Sequence, residues 1–233
     1  MNIQSVMTPR LLAIADSVPF GAMVADVGTD HGYIPIYLYK EHKIKRALAM
    51  DLRQGPLSRA EENIDRFGLK DFIKTRLSDG LCALSEGEAD TAVIAGMGGL
   101  LIAEILEKSP VQLEHYILQP MTATAELREY LAQNDYEITD ERLAKEDNKI
   151  YTVMTVKHGK MMVSDPVYYQ VGEKLIENRD PLLPELLDLL IHKYSEALGG
   201  LLRAEKVDTR AKADEYKKVL TGLKRLKETC DLW

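Results

Sequence analysis

The 233-residue chain has little of several features that define whole classes of protein. It has only two cysteines, Cys82 and Cys230, which are far apart and lack partners at metal-ligand spacing, so we expect no disulfide and no metal site. No stretch approaches the roughly 18 consecutive apolar residues of a membrane span. Residues 1–17 lack a basic region followed by an apolar run, so we expect no secretory signal. These absences predict a reduced, cytoplasmic protein with no membrane partner.

The net charge of −7 is unevenly distributed along the chain. Residues 1–156 carry 16 basic against 24 acidic side chains, a balance of −8, whereas residues 157–233 have a balance of +1. From Arg203 to the end the balance is +3. Because polyanions bind to local patches more than to the total charge, RNA remains a possible partner.

Short apolar runs alternate with helical patterns over the first 134 residues. The predicted strands are residues 22–27, 47–51, 72–77, 91–95 and 116–118. The predicted helices are residues 9–17, 34–41, 56–67, 100–108 and 123–134. This alternation is typical of an α/β fold with a parallel sheet covered on both faces.

The pattern changes near the end of the predicted sheet. Residues 136–143 and 150–157 are two strand candidates separated by the polar residues KEDN, which predicts a terminal antiparallel hairpin. Beyond Gly159, apolar residues repeat at alternating intervals of four and three, which predicts a helical hairpin or short coiled coil. Gly199-Gly200 could be a kink in its first helix or the end of it. We therefore predict a Rossmann-like domain over 1–158 and a helical domain over 159–233.

The strongest local signal is ADVGTDHGYIP, a glycine-rich turn between the first strand and its helix. A dinucleotide site would have the pattern G-x-G-x-x-G. Here Asp26 precedes Gly28, and Asp30 lies between Gly28 and Gly32. These carboxylates would repel a pyrophosphate, whereas S-adenosylmethionine carries a cationic amino group and a sulfonium. The loop therefore favours that cofactor over a nicotinamide dinucleotide, although such a turn can also be only a tight connection.

Acidic residues also follow the next two strands. Asp51 lies 25 positions after Asp26, near the offset at which an acid binds ribose hydroxyls, but it could instead cap the following helix. Ser78-Asp79-Gly80 follows the third strand, where a carboxylate can accept from the adenine amino group, or it is a polar turn. The carboxyl ends of parallel strands share one edge, so the three positions together favour a cofactor site.

The fourth strand ends in AGMGG, residues 95–99, where the backbone must approach another group closely. That group is the cofactor's methyl end or the following helix. His31 could act as a base or simply hydrogen-bond its own loop. Gln119-Pro120 ends the fifth strand at the same edge, which could be a simple strand stop.

Five segments together resemble the bacterial tRNA adenine-22 N1-methyltransferase family, TrmK. They are ADVGTDHGYIPIYL, DLRQGPL, LSDGL, IAGMGG and LQP. The resemblance runs from about Arg10 to Val156, and the helical appendage fits the same two-domain plan. It implies methyl transfer from S-adenosylmethionine to N1 of an adenosine, position 22 in the tRNA D-loop. Amino-methyltransferases often carry an Asn-Pro-Pro-Tyr type motif after the fourth strand, and this chain has Gly96-Met97-Gly98-Gly99 there.

Neutral adenine N1 has a free lone pair, so a base is not strictly required, whereas a nearby negative charge stabilises the cationic product ring. We expect Asp30 to be that catalytic group, or alternatively to bind the cofactor's amino group. The expected cofactor-binding residues are Asp26, Gly28, Thr29, His31, Gly32, Asp51, Leu52, Ser78, Asp79, Gly80, Ala95, Gly96 and Met97. Methylation of another RNA or a small molecule, and RNA binding without catalysis, are the alternatives. The sequence leaves the oligomeric state open, with a monomer as one possibility.

Overall fold

The computed structural model describes residues 2–203 and 209–232. The chain divides into two compact units, Met1–Met161 and Met162–Trp233. Among the described residues, no helix combines the length and the apolar content that crossing a membrane requires.

The first unit is built on a seven-stranded sheet. Its strands are β1 (Ala22–Val27), β2 (Ile44–Asp51), β3 (Ile73–Leu77), β4 (Thr91–Gly98), β5 (His115–Thr122), β6 (Tyr136–Glu146) and β7 (Lys149–His158). Their order is β3-β2-β1-β4-β5-β7-β6; β1 to β5 are parallel, and β7 pairs antiparallel with both β5 and β6. The predicted Rossmann-like sheet with a terminal antiparallel hairpin is confirmed.

Helices cover both faces of this sheet because alternate strand residues point to opposite sides. The helices are α1 (Pro9–Ser17), α2 (Tyr33–Lys40), α3 (Gln54–Arg66), α4 (Gly99–Glu107) and α5 (Thr124–Gln133), after a 3₁₀ turn at Ile3–Val6. In β5, Tyr116 and Leu118 pack with α4 and α5, whereas Ile117 packs on the opposite side with α1, α2 and α3. The central strands β1, β4 and β5 are therefore largely apolar on both faces, as expected for a sheet enclosed between helices, whereas the edge strand β3 buries only Ile73.

The predicted end of the fourth strand at Ala95 is wrong. β4 continues to Gly98 alongside β5, with register irregularities between Ala95 and Met97 and between Met97 and Gly98. Gly96 lies at these irregularities and has a φ of +76°, which regular strand geometry does not allow. The apolar run ends at Ala95, so the apolar pattern alone could not detect this extension.

The second unit consists of helices α6 (Val167–Val171), α7 (Glu173–Glu177), α8 (Leu183–Arg203) and α9 (Thr209–Cys230). The helical pair is confirmed, and α8 runs through Gly199-Gly200, so these glycines do not end it. Tyr194 of α8 meets Tyr216 of α9 edge to face, with ring centroids 5.1 Å apart. The short helices α6 and α7 were not predicted, because each has too few residues for an apolar period to emerge.

Candidate functional site

The direction of the helical connections reverses between β1 and β4, which are neighbours in the sheet but distant in sequence. In an open α/β sheet, the crevice beyond the carboxyl ends of such strands is where ligands bind. The loops after β1, β2, β3 and β4 all emerge at this edge. The polar motifs found in the sequence are therefore brought to one place.

The loop after β1 is held by the neighbouring strand. The backbone amides of Gly28 and Thr29 both donate to the carbonyl of Met50 in β2, at 2.8 and 3.0 Å. Gly28 has a φ of +77°, and Gly32, the N-cap of α2, has a φ of +67°. These conformations favour glycine, and they let the chain turn sharply from the strand into α2.

Asp26 is the most perturbed acid at this edge. It is only 5% exposed, and burial raises its pKa to about 6. The Thr29 hydroxyl opposes this shift, and the charge of nearby Asp51 adds to it. A buried carboxyl between an acid and a hydroxyl is well suited to bind a cation, which would restore its ionised form.

Asp51 is buried at the end of β2, and its Oδ1 accepts from the backbone amide of Arg53 at 2.8 Å. This contact orders the turn before α3 but is not the capping role considered from the sequence, because the N-cap of α3 is Arg53 and that end of the helix has no side-chain cap hydrogen bond. The following residue, Leu52, is largely exposed. Asp51 therefore both orders the turn and leaves a carboxylate close to Asp26.

The turn after β3 is closed internally. The buried Ser78 hydroxyl donates to the carbonyl of Gly80 at 2.8 Å and accepts from the amide of Ala83 at 3.1 Å, while Asp79 is exposed. The Ser78 amide also donates to the carbonyl of Asp51 at 2.9 Å. The polar-turn interpretation fits Ser78, and the turn lies beside Asp51 as the sequence implied.

The loop after β1 is also anchored to α3, which the sequence did not reveal. Asp30 forms an ion pair with Arg59, and its carboxylate lies 3.3 Å from His31 Nε2. Chiefly because of the Arg59 hydrogen bond, the pKa of Asp30 is held below its ordinary value. The buried Asn63 donates from Nδ2 to the His31 carbonyl at 3.0 Å. Arg59 and Asn63 are four residues apart and share one helix face, but this spacing does not indicate which loop the face contacts.

Residues at the junction of β4 and α4 pack closely against other parts of the chain. A Cβ on Gly99 would lie 2.3 Å from the carbonyl oxygen of Ala123, so Gly99 serves packing against the start of α5. Met97 instead lies over the loop after β1, because a Cβ on Gly28 would be 2.1 Å from the Met97 methyl carbon. Gly99 thus serves close packing, but against α5 and not against the helix that directly follows β4, and the approach of this segment to the cofactor's methyl end stays a prediction.

One polar group at this edge was underestimated from the sequence. Gln119, near the end of β5, has a side chain that is 0% exposed, and its Oε1 accepts from Arg10 Nη1 at 2.9 Å and from the Gly96 amide at 3.2 Å. Its Nε2 donates to the carbonyl of Pro120 at 2.8 Å. The prediction that Gln119-Pro120 ends the fifth strand is wrong, because β5 continues to Thr122.

These observations test whether the edge suits S-adenosylmethionine. Asp26 and Asp51 place two neighbouring carboxyl groups at this edge, and Asp30, which is paired with Arg59, lies in the glycine-rich loop after β1. A pyrophosphate would meet this negative potential directly, whereas a cationic amino acid group and ribose hydroxyls would be bound by it. The residues present therefore fit that cofactor.

Comparison with known proteins agrees with this geometry. Residues 7–154 match the family model described as "Methyltransferase domain". A curated relative, the tRNA (adenine(22)-N(1))-methyltransferase of Bacillus subtilis (strain 168), is 40% identical over 156 residues. That alignment spans 66% of this chain and 66% of the relative, just under two thirds of its length.

Solved structures match over nearly the whole chain. The crystal structure of the B. subtilis m1A22 tRNA methyltransferase TrmK is 31% identical, with a TM-score of 0.85, covering 94% of this chain and 98% of that one. The structure of M. capricolum TrmK in complex with S-adenosyl-homocysteine is 28% identical, with a TM-score of 0.77, covering 95% of this chain and 96% of that one. Both alignments therefore include residues of both units.

Proposed function

Because this chain belongs to the methyltransferase-domain family and, within it, to the bacterial tRNA (adenine-22-N1)-methyltransferases, we propose that it methylates N1 of adenosine 22 in the D-loop of tRNA, using S-adenosylmethionine. The proposal rests on one observation: acidic residues and glycine turns lie together at the carboxyl edge of the sheet, where the strand order reverses between β1 and β4. Its charge suits a sulfonium cofactor and opposes a dinucleotide.

The cofactor supplies an electrophilic methyl group. Adenine N1 attacks it with its lone pair: the N1–C bond forms as the S–C bond breaks, leaving a neutral thioether and a cationic 1-methyladenine ring. The chain therefore needs no strong base, and its contribution is to position the two reactants and to stabilise the developing positive charge. Asp30, whose pKa is lowered, is ionised at neutral pH and is our candidate for that stabilisation.

We assign the cofactor to the residues predicted from the sequence. The loop residues Gly28, Thr29, His31 and Gly32 would face its amino acid part together with Asp26, while Asp51 and Leu52 would hold the ribose. The turn Ser78-Asp79-Gly80 would border the adenine, and Ala95, Gly96 and Met97 would lie at the methyl end. The proximity of Met97 to Gly28 supports this arrangement, because it brings the end of β4 next to the loop after β1.

We further propose that residues 1–158 act as the methyltransferase domain and residues 159–233 as a tRNA-binding, coiled-coil-like domain in a cytoplasmic enzyme. The second unit supports this role through exposed lysines of α9, including Lys218 and Lys224, whereas Leu223 of the same helix is buried. Phosphate contacts of this kind supply affinity without reading the base sequence.

The direct test is methylation of tRNA by the purified chain. Unmodified tRNA transcript should gain 1-methyladenosine when incubated with S-adenosylmethionine, and a transcript with guanosine at position 22 should gain none. Nucleoside mass spectrometry measures both products. Cofactor binding without methylation would favour a binding protein, and methylation of the guanosine-22 transcript at another adenosine would place the target elsewhere.

A further inference from the structure

The end of β4 is held by a polar contact between parts of the chain that are far apart in sequence. Gln119 of β5 accepts at one oxygen from Arg10 of α1 and from the amide of Gly96. Arg10 comes 109 residues before Gln119 and Gly96 comes 23 residues before it, so the three meet only in the folded chain.

Gln119 is poorly explained as a packing residue. An apolar side chain would be the ordinary choice at a fully buried site, because burying an amide is costly unless its hydrogen bonds are made. Here both ends of the amide have partners: Oε1 accepts twice, and Nε2 donates to the Pro120 carbonyl. Such a fully satisfied polar group fixes the geometry of everything it contacts.

The Gln119 side chain holds the irregular part of β4. Gly96 has a φ of +76° and lies between residues whose register with β5 shifts, so the strand ladder alone does not hold its amide. The neighbouring Met97 packs over Gly28 of the loop after β1. The orientation of the Gly96 peptide therefore determines the shape of the crevice on the β4 side.

Arg10 also has contacts other than its hydrogen bond to Gln119. Its Nε lies 3.7 Å from Glu146, and its guanidinium lies 5.5 Å from the centre of the Tyr151 ring. A Cβ on Gly96 would be 3.9 Å from Arg10 Nη1. Arg10 is thus held from several sides and presents a fixed positive charge beside the end of β4.

We propose that Gln119 is a positioning residue which, together with Arg10, holds the Gly96–Met97 segment in the conformation that orients the methyl acceptor. This inference rests on the proposed methyltransferase function. It assigns no contact with the reacting atoms to Gln119, whose side chain acts through the Gly96 backbone.

The experiment compares Gln119→Leu with Gln119→Glu and with the control Thr91→Val in the full chain. Leucine removes both hydrogen-bond functions, whereas glutamate keeps an acceptor for the Gly96 amide and for Arg10. Thr91 is also buried in β4, but its hydroxyl donates to Asp90 at the opposite end of the strand. Thr91→Val therefore loses a partly buried hydrogen bond without changing a contact of Gly96.

We expect Gln119→Leu to lower kcat on tRNA about tenfold or more, with the S-adenosylmethionine KM changed less than about threefold. Gln119→Glu should keep most of the wild-type kcat, and Thr91→Val should match the wild type. Arg10→Ala should lower kcat as well, and adding it to Gln119→Leu should cost little more, because the two act as a unit. A Gln119→Leu enzyme with the kcat of Thr91→Val would overturn the proposal, as would a loss confined to the cofactor KM.

A second measurement is independent of activity. The Gly96 amide should exchange slowly with solvent in the wild type and in Gln119→Glu, and about tenfold or more faster in Gln119→Leu, as read by NMR on the labelled chain. If the wild type does not methylate tRNA, the proposed function fails, and this measurement still decides the positioning claim. Equal Gly96 exchange in the wild type and Gln119→Leu would refute it.

Discussion

Asp30 forms an ion pair with Arg59, which joins the loop after β1 to helix α3. Both side chains are about half exposed, at 56% and 50%, so solvent weakens the pair and it contributes little to stability. Its consequence is functional, because the guanidinium partly neutralises the carboxylate proposed to stabilise the product ring. Substituting Arg59 can therefore separate two roles of Asp30, stabilisation of the cationic product ring and anchoring of the loop after β1.

Asp30→Ala should lower the turnover of tRNA much more than it lowers cofactor affinity, because the charge that stabilises the cationic ring is lost. Arg59→Gln keeps that charge and removes only the anchor, so its turnover should stay near or above the wild-type rate. Steady-state kinetics and calorimetry with S-adenosylmethionine measure the two quantities. Equal losses of turnover in both variants would instead make Asp30 an anchor of its loop, and equal losses of turnover and affinity in Asp30→Ala would make it a cofactor ligand.

Cofactor binding should depend on pH through Asp26. Its pKa is about 6 because the carboxyl is buried, and a cationic amino group nearby would favour the ionised form. The affinity for S-adenosylmethionine should therefore fall as pH drops below 6, approaching tenfold per pH unit, and level off above it. Calorimetry between pH 5 and 7 measures this, and Asp26→Asn should bind weakly with no such dependence. A wild-type affinity that is flat across this range would exclude ionised Asp26 from the cofactor contact.

The raised pKa of Asp26 also predicts how the stability of the ligand-free protein depends on pH. The folded pKa lies above the unfolded value of 3.8, so the folded chain binds more protons and Asp26 stabilises it as pH falls through 6. Relative to Asp26→Asn, the wild type should gain about 1 kcal/mol of unfolding free energy between pH 7 and pH 5. Denaturant unfolding of both proteins at each pH provides the comparison, in which titrations common to both cancel. A difference that stays constant from pH 7 to 5 would contradict the raised pKa.

Asp51→Ala should weaken cofactor binding by about 1–3 kcal/mol, the usual cost of losing a charged hydrogen-bond partner. The variant also loses the acceptor for the Arg53 amide, so a modest drop in stability, about 1 kcal/mol, should accompany it. Asp65→Ala, at an exposed position of α3 that pairs with Lys70, is the matched control and should bind normally. Unchanged affinity in a folded Asp51→Ala protein would remove Asp51 from the site.

The sequence predicted the elements whose pattern is local. Residues such as Val24 and Ala25 alternate between the two faces of a sheet enclosed by helices, and this produces the apolar runs that mark the strands. The strand-end acids could be placed at one edge because parallel strands share a direction. The fold class, which the structure confirms, and the predicted location of the cofactor site both followed from these two facts.

Contacts between side chains distant in sequence were not predictable in the same way. The sequence around Gln119 does not indicate a contact with Arg10 of the first helix. A single buried glutamine also produces no periodic pattern in the sequence. Arg59 appears in sequence as one more charged residue on an amphipathic helix. Such pairs depend on how α1 and α3 pack on the sheet, which single-sequence patterns do not specify.

The last prediction concerns the basic residues of the helical unit. Of the nine from Arg203 onward, Lys206 lies outside the described residues. Lys227 contacts Asp188 and Asp231, and Arg225 contacts Asp165, so these charges are partly used within the unit. Lys217, Lys218 and Lys224 are exposed on α9, although Lys217 also reaches Asp214 at 3.2 Å.

Reversing the charge of Lys217, Lys218 and Lys224 together should weaken tRNA binding and flatten its dependence on salt, since fewer counterions are released. Cofactor affinity should not change, because the predicted cofactor residues all lie in the first unit. Reversing Lys45, Lys70 and Lys149, which are exposed in that unit, changes the net charge equally and is the control. Binding measured at several salt concentrations compares the two triple variants. Equal weakening in both would reduce the effect to overall charge, and tRNA affinity at the wild-type level in the α9 variant would leave those lysines as ordinary surface charges.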